Sequence, residues 1–321
     1  MGMTGAGLSS WAEYPLWQVA LRRLANLITE LTGNPRIGSE ILNRNTTDML
    51  FCAKRLGKEI GEMEFRKFIS REFGPNGRIP DDVLLRFSSL PLSHIFTLNF
   101  DPSCETAHAI LGLPCRSLSS ASDTDLVTFF REIDNPHCTK TVFHLHGRYD
   151  DPLNQIALSE DGYRRLYSPG SLFHHQFLNL AISKSLLFAG LSFTDKDVER
   201  IFSDCARLVQ AQVGDGTIHH FAIIGLGDSD RPEDSDEARR QLMSDRYLAD
   251  TIFYDVHAGE NPHRDFGALI TELSEALNLS APVIVEPEAA TQSTVEPDDI
   301  QRMDVLSDAF LRRIDRGQND V

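Results

Sequence analysis

The stretch of the chain that decides its fold is His94-Ile95-Phe96-Thr97-Leu98-Asn99-Phe100-Asp101. Its β-branched and aromatic residues favour a buried strand, and Asp101-Pro102 indicates a turn at its end. Four further apolar runs follow, at residues 141–145, 185–189, 221–224 and 251–256. Helical patterns separate most of them. Short apolar strands alternating with helices predict an α/β fold, with a Rossmann-like, doubly wound and mostly parallel sheet covered on both faces.

The regions around this sheet are predicted to be helical. Residues 38–90 form several helical pieces interrupted by glycines, which indicates a smaller helical lobe. The lobe and the sheet together make a predicted domain of residues 1–280. Residues 281–299 are rich in Pro, Ala, Thr and Glu and predict a linker. Residues 300–321 predict an amphipathic tail helix whose apolar stripe packs on another surface.

Composition and charge exclude several classes of protein. With 41% hydrophobic and 24% charged residues, the 321-residue chain has the composition of a globular protein. No stretch approaches the roughly 20 apolar residues that span a bilayer, and no signal-peptide pattern is present. We therefore expect a cytoplasmic protein without a membrane role. The net charge of −16 disfavours nonspecific binding to nucleic acid but is compatible with a nucleotide phosphate held by backbone N–H groups.

The cysteines argue against a structural zinc site. They are five in number and far apart, and no pair has the two-residue spacing of a zinc knuckle. We expect reduced and mostly buried thiols at Cys52, Cys104, Cys115, Cys138 and Cys205.

Polar or small residues stand where the predicted strands end. Asn99 and Asp101 follow the first strand, His146 the second, Ser192 the third and Gly225 the fourth. Because ligands of parallel α/β sheets bind beyond the carboxyl ends of the strands, these residues are predicted to converge on one site.

Each of these polar residues also has a simpler interpretation. His146 suits general-base catalysis because imidazole titrates near neutral pH, but it could instead only hydrogen-bond a loop. His144 lies deeper in the same apolar run and is predicted to be structural. Asn99 and Asp101 could be turn caps. The sequence around each residue leaves both interpretations open.

A glycine-rich segment opens the chain, Gly5-Ala6-Gly7-Leu8-Ser9. Closely spaced glycines let the backbone approach a pyrophosphate, whose charge nearby N–H groups can neutralise. The alternative is a flexible N-terminal tail. A nucleotide-binding turn needs a preceding strand, which residues 1–4 barely supply, so a strand upstream of Met1 remains an open possibility.

The order of four motifs resembles the sirtuin family. The motifs are Gly-Ala-Gly-x-Ser at residues 5–9, Thr-x-Asn-x-Asp at 97–101, Leu-His-Gly at 145–147 and Gly-x-Ser at 190–192. The similarity extends to residues 194–198 and to a closing helix near 265–278. It therefore covers about residues 3–278 and implies a Rossmann-like sheet that binds NAD+, with a smaller lobe over the cleft.

The resemblance also implies roles for individual residues. His146 would be the general base beside the nicotinamide ribose. Asn99 and Asp101 would hold the nicotinamide, its ribose and a water molecule, and Asp101 would stabilise positive charge that develops on the ribose. The cofactor-binding set would be Gly5, Ala6, Gly7, Ser9, Thr97, Gly190, Ser192 and Gly225.

Departures from the family pattern indicate one branch. Protein-deacylating sirtuins carry a four-cysteine zinc module after the His-Gly motif, whereas residues 148–204 contain no cysteine. Residues 13–17 also replace the family's Pro-Asp-Phe-Arg run. The chain thus looks like the zinc-free sirtuin-like proteins of bacterial antiphage defence. These cleave NAD+ to nicotinamide and ADP-ribose, and the loss of NAD+ aborts the infection.

The resemblance therefore implies an NAD+ glycohydrolase with NAD+ as substrate and no zinc. One alternative is a regulatory subunit that senses NAD+ or ADP-ribose without turnover. Another is an NAD-dependent protein deacylase or ADP-ribosyltransferase. We expect a homo-oligomer assembled through the helix near 300–316, and no direct nucleic-acid binding. An activating partner, such as a defence ATPase or a nucleic-acid-binding subunit, is also expected.

Overall fold

The computed structural model describes residues 1–44, 49–158, 160–193, 195–213, 220–227, 235–259, 261–277 and 279. These ranges contain one parallel sheet. Its strands are β1 (Gly2–Thr4), β2 (His94–Thr97), β3 (Arg116–Ser119), β4 (Thr141–His144), β5 (Leu187–Ala189), β6 (His220–Leu226) and β7 (Ala249–Asp255). The predicted α/β fold with a mostly parallel sheet is confirmed.

Helices connect the strands and cover the sheet. They are α1 (Ala6–Ser9), α2 (Trp17–Thr32), α3 (Pro35–Arg44), α4 (Met49–Ile60), α5 (Glu62–Phe73), α6 (Asp82–Ser89), α7 (Ser103–Ile110), α8 (Asp123–Glu132), α9 (Glu160–Tyr167), α10 (Leu172–Ser183), α11 (Lys196–Val213), α12 (Ser235–Tyr247) and α13 (Arg264–Ala276), with a 3-10 turn at Ser10–Ala12. Within the described ranges, none of the helices is both long and apolar enough to cross a membrane.

The strand order makes β1 the centre of the sheet. The order across the sheet is β3-β4-β2-β1-β5-β6-β7, so β1 pairs with β2 on one side and β5 on the other. The chain first winds towards β4 and β3, then crosses back to β5 and continues outwards. The order of the strands therefore reverses at β1. In doubly wound sheets, the crevice at such a reversal is where ligands bind.

Both faces of the sheet are apolar because successive side chains of a strand point to opposite sides. Met3, Phe96, Phe143 and Phe188 form a buried row across four strands, packed against aromatic residues of α10 and α11. Their strand neighbours, which include Ile95, Val142 and Leu187, pack on the other face against α6 and α13. A sheet buried on both faces explains the continuous apolar runs in the sequence.

Three details differ from the sequence expectations. Residues 2–4 form the fully buried central strand β1, so the alternative of a flexible tail is wrong for them. Strand β3 was not predicted because its sequence, Arg-Ser-Leu-Ser, lacks an apolar run; it lies at an edge and is only partly buried. Strand β6 continues to Leu226, so Gly225 lies inside the strand rather than after it.

Helices α2 to α5 pack around a core of their own. This core contains Leu24, Leu56 and Phe68, and it reaches the sheet domain through Phe100 and Ile156. Helix α6, by contrast, packs on the sheet. The domain boundaries remain predictions, and the predicted linker 281–299 and tail helix 300–321 lie outside the described residues.

Candidate functional site

The segments that follow β1, β2, β4 and β5 meet at the carboxyl edge of the sheet. Backbone hydrogen bonds continue the ladder past the strands: the N–H of Gly5 donates to the carbonyl of Ala189, and that of Leu98 donates to Thr4. The glycine-rich segment, the Thr97–Asp101 segment and the turn at His146 are therefore neighbours, as the topology of the motifs predicts.

Ser9 joins the first two motifs through its hydroxyl group. The side-chain amide of Asn99 donates to Ser9 Oγ at 2.7 Å, and Ser9 Oγ donates to Asp101 Oδ1 at 2.9 Å. Ser103 Oγ lies 3.0 Å from Ser9 Oγ, and the Ser103 N–H donates to the same Asp101 oxygen at 3.1 Å. Ser9 was predicted on the phosphate side, but its hydroxyl lies with Asn99 and Asp101.

The Asp101 carboxyl is held in a buried and polar environment. Burial raises its pKa, while hydrogen bonds from Ser103 and Ser9 and the charge of His144 act in the opposite direction. Thr97 supports the same turn, because its Oγ1 accepts the N–H of Asn99 at 3.1 Å. These contacts hold an amide and a carboxyl group side by side at the edge of the sheet.

The glycines of the first motif are required by close packing. A Cβ on Gly5 or Gly7 would lie 2.7 or 2.9 Å from the carbonyl oxygen of Gly190. Gly190 has a positive φ of 65°, and a Cβ there would lie 2.3 Å from the backbone nitrogen of Leu8. The N–H of Gly7 also donates to the Gly190 carbonyl at 3.0 Å. That N–H is used within the protein, so a phosphate would need other donors.

His146 lies beyond β4 and faces two tyrosines of α9. Its Nε2 is 2.9 Å from the Tyr167 hydroxyl, and its Nδ1 is 3.5 Å from the Tyr163 hydroxyl. Asp195 Oδ2 lies 3.7 Å from Nε2. Burial lowers the pKa of His146, and the charge of Asp195 and the Leu98 backbone only partly offset this. The imidazole is therefore neutral near pH 7, as a general base must be.

His144 has a different environment, although it precedes His146 by only two residues. Its Nδ1 is 2.8 Å from the carbonyl oxygen of Asn99, and its Nε2 is 2.6 Å from Glu105 Oε1. Burial lowers the pKa of His144, but the Glu105 carboxylate and hydrogen bonds outweigh it and the pKa is raised. Burial raises the pKa of Glu105, but the charge of His144 and its hydrogen bond outweigh burial, so the pKa of Glu105 is lowered. The two groups form a charged pair behind the Asn99 turn.

Comparison with known proteins shows which family this part of the chain is similar to. Residues 93–248 match the model of the SIR2-like domain. This part of the chain is therefore similar to SIR2-like domains. The match contains Asn99, Asp101 and His146, and it confirms the predicted resemblance to the sirtuin family.

Two curated relatives are both named NAD(+) hydrolase ThsA. The protein of Enterococcus faecium is 27% identical over 204 residues, which cover 62% of this chain and 38% of the relative. The protein of Cytobacillus dafuensis is 24% identical over 216 residues, covering 67% of this chain and 39% of the relative. The chain thus spans less than two fifths of the length of these relatives.

Several residues of the candidate site were missed by the sequence analysis. Ser103 and Glu105 lie at the start of α7, directly after the Asn99 motif. Their closeness to Asp101 in the sequence could have identified them as neighbours of the site. Tyr167 carries no such signal, because only folding brings it to His146. Tyr163 lies in a stretch, residues 148–167, that looks like the zinc-free branch, but no role was assigned to it. Asp195 does lie in a segment that resembles the family, although no role was assigned to it.

The remaining predicted residues lie further from these contacts. Ser192 lines a cavity of about 30 Å³ together with Met3, Leu98 and Asp195. This volume is far below the roughly 300–1,000 Å³ of typical ligand pockets, so this cavity alone is too small for a dinucleotide. Gly225 faces the Tyr254 ring, which a Cβ at this position would meet at 2.7 Å.

The cysteines are consistent with their predicted chemistry. All five are free thiols; Cys52, Cys104 and Cys205 are buried, and the other two are partly buried. Among the residues that the structure describes, no three His, Cys, Asp or Glu side chains lie close enough together to hold a metal ion.

Proposed function

We propose that the chain is an NAD+ glycohydrolase that cleaves NAD+ to nicotinamide and ADP-ribose. The observation that carries this proposal is the contact between the first two motifs through Ser9, with His146 at the end of the neighbouring strand β4. The SIR2-like match and the two NAD(+) hydrolase relatives support the same activity.

The chemistry follows from the three central residues. The bond between the ribose C1′ and the nicotinamide nitrogen breaks, and nicotinamide leaves with the electron pair as a neutral molecule. The positive charge that develops on the ribose is stabilised by Asp101, whose carboxyl group is fixed in place before the reaction. A water molecule oriented by Asn99 attacks C1′, and His146 accepts its proton.

The binding site for the adenosine and phosphate side of NAD+ is inferred from the topology of the sheet. We expect the phosphates beside Gly5, Ala6, Gly7, Gly190 and Ser192, at the point where the strand order reverses. The N–H groups of Gly5 and Gly7 already donate to Ala189 and Gly190, so donors nearby must carry the phosphate contacts. Gly225 and Thr97 remain predicted cofactor-binding residues.

The proposed biological role is the depletion of NAD+ in antiphage defence. We expect a cytoplasmic homo-oligomer that is activated by a partner such as a defence ATPase or a nucleic-acid-binding subunit. The predicted tail helix, residues 300–321, is the proposed assembly element. The proposal includes no zinc and no direct nucleic-acid binding.

A sensor that binds NAD+ or ADP-ribose without turnover is the second candidate. The observation that favours it is the close packing around His146. Both ring nitrogens of His146 face tyrosine hydroxyls, and the adjacent cavity holds only about 30 Å³. A histidine enclosed in this way suits a regulatory subunit that binds NAD+ or ADP-ribose without using a general base.

One assay separates these functions. The full chain is incubated with NAD+, and nicotinamide and ADP-ribose are quantified by chromatography. His146→Ala and Asn99→Ala should each lower the rate of release by roughly 100-fold or more. His137→Ala, an exposed histidine outside the site, is the matched control.

The possible outcomes differ between the candidates. Release that survives both site variants would contradict the mechanism. NAD+ binding without release would favour the sensor. Transfer of ADP-ribose from NAD+ to a protein would indicate the transferase, and transfer of an acyl group from a protein to ADP-ribose would indicate the deacylase.

A further inference from the structure

The segment before α11 places a carboxylate against the proposed base. One oxygen of Asp195, Oδ1, accepts the N–H of Val198 at 3.1 Å and so caps the first turn of α11. The other oxygen, Oδ2, accepts the hydroxyl of Tyr163 at 2.8 Å and lies 3.7 Å from His146 Nε2. The helix thus fixes the carboxylate, and its second oxygen faces the imidazole.

Tyr163 connects these two groups. Its hydroxyl donates to Asp195, while its oxygen lies 3.5 Å from His146 Nδ1 and its ring centre is 4.9 Å from that of His146. The contact with His146 is long for a hydrogen bond, so Tyr163 mainly packs against the imidazole and orients Asp195.

We propose that Asp195 is a positioning residue for His146, whose carboxylate orients the imidazole and stabilises its protonated form during NAD+ cleavage. This inference rests on the proposed function and adds a residue to it. Asp195 is separated from His146 by 49 positions in the sequence, and only the start of α11 brings it to the strand edge.

Within the part of the chain that the structure describes, the titratable groups that face His146 come from two segments. They are Tyr163 and Tyr167 from α9 and Asp195 from the segment before α11, while β2 contributes the backbone of Leu98. Of these groups, the Asp195 carboxylate is the one whose charge raises the pKa of His146. Removing the charge of Asp195 should therefore lower the pKa of His146.

The test uses Asp195→Asn, which keeps a capping oxygen and the shape of the side chain but removes the charge. The pKa of His146 is measured by NMR on histidine-labelled full-length protein, and its signal is assigned by its loss in His146→Gln. We expect the titration midpoint to fall by about one pH unit. Asp195→Ser also caps helices without a charge and decides the question if the Asn variant does not fold.

Asp81→Asn is the matched control. Asp81 caps α6 by accepting the N–H groups of Val83 and Leu84, and it is not among the groups that shift the pKa of His146. It should leave the titration of His146 unchanged.

Kinetics give the second measurement. In Asp195→Asn, the acid limb of kcat/KM should move to lower pH with the titration midpoint, and the plateau should fall by roughly tenfold because the base is weaker. A purely structural role would lower the rate at every pH and leave the acid limb in place.

The two proposals can fail separately. An unchanged titration midpoint in both neutral variants would overturn the positioning role, even if the protein cleaves NAD+. A shifted midpoint in a protein that releases no nicotinamide would retain the contact between Asp195 and His146 and contradict the glycohydrolase.

Discussion

His144 and His146 stand two residues apart at the end of one strand, yet their surroundings differ in charge. His144 is bonded on both sides, to Glu105 and to the Asn99 carbonyl, and its pKa is raised. His146 is packed between tyrosine rings with a carboxylate 3.7 Å away, and its pKa is lowered. Burial alone therefore does not decide the direction in which a histidine's pKa shifts. The distance to the nearest carboxylate decides it for these two residues.

The largest expected effect comes from breaking the His144 pair. His144→Ala removes the histidine that pairs with the Glu105 carboxylate, which keeps the hydrogen bond from Ser117, and should lower the free energy of unfolding by about 3 kcal/mol. Urea denaturation measures this change. Glu105→Gln in the same background should recover part of the loss, because the unpaired charge is removed. A loss no larger than that of the exposed variant His137→Ala would show that the pair contributes little.

A smaller effect is expected at the His146 side. Tyr167→Phe removes the hydroxyl 2.9 Å from His146 Nε2 and should lower the free energy of unfolding by about 1 kcal/mol. Tyr254→Phe is the matched control, since the Tyr254 hydroxyl lies 3.0 Å from His263 Nδ1 at a partly exposed position. Water can replace the lost partner of His263 but not that of buried His146. Equal losses in the two variants would contradict this difference.

The last expected effect is a pair of opposite pH dependences. The pKa of His144 is raised above 6.5, so its stabilisation is complete below pH 6.5 and is lost as the pH rises through the folded value. The pKa of His146 is lowered below 6.5, so its contribution is present above pH 6.5 and is lost as the pH falls. A tenfold difference in proton affinity between the folded and unfolded chain corresponds to about 1.4 kcal/mol.

Urea denaturation of the wild type, His144→Ala and His146→Ala between about pH 5 and 8 measures these dependences. The difference between the wild type and His144→Ala should shrink towards alkaline pH. The difference between the wild type and His146→Ala should shrink towards acid pH. If both stability differences changed with pH in the same direction, the opposite pKa shifts of His144 and His146 would be contradicted.

Much of the sheet could be predicted because its signals are local. Short runs rich in apolar and β-branched residues mark β2, β4 and β6, and polar or small residues after them mark the functional edge. Strand β1 is only three residues long, and its stability comes from hydrogen bonds to β2 and β5 on both sides. Strand β3 is polar because it lies at the edge of the sheet. Neither carries a local signal.

The sequence by itself determined the parallel α/β sheet, the sirtuin-like order of motifs and the choice of Asn99, Asp101 and His146 as candidate site residues. These depend on residue type and on short spacings, which folding does not change. Only the tertiary structure decided that Ser9 lies between Asn99 and Asp101, that Glu105 pairs with His144, and that Asp195 faces His146. Such contacts join residues distant in the chain, and the pKa of each histidine follows from them.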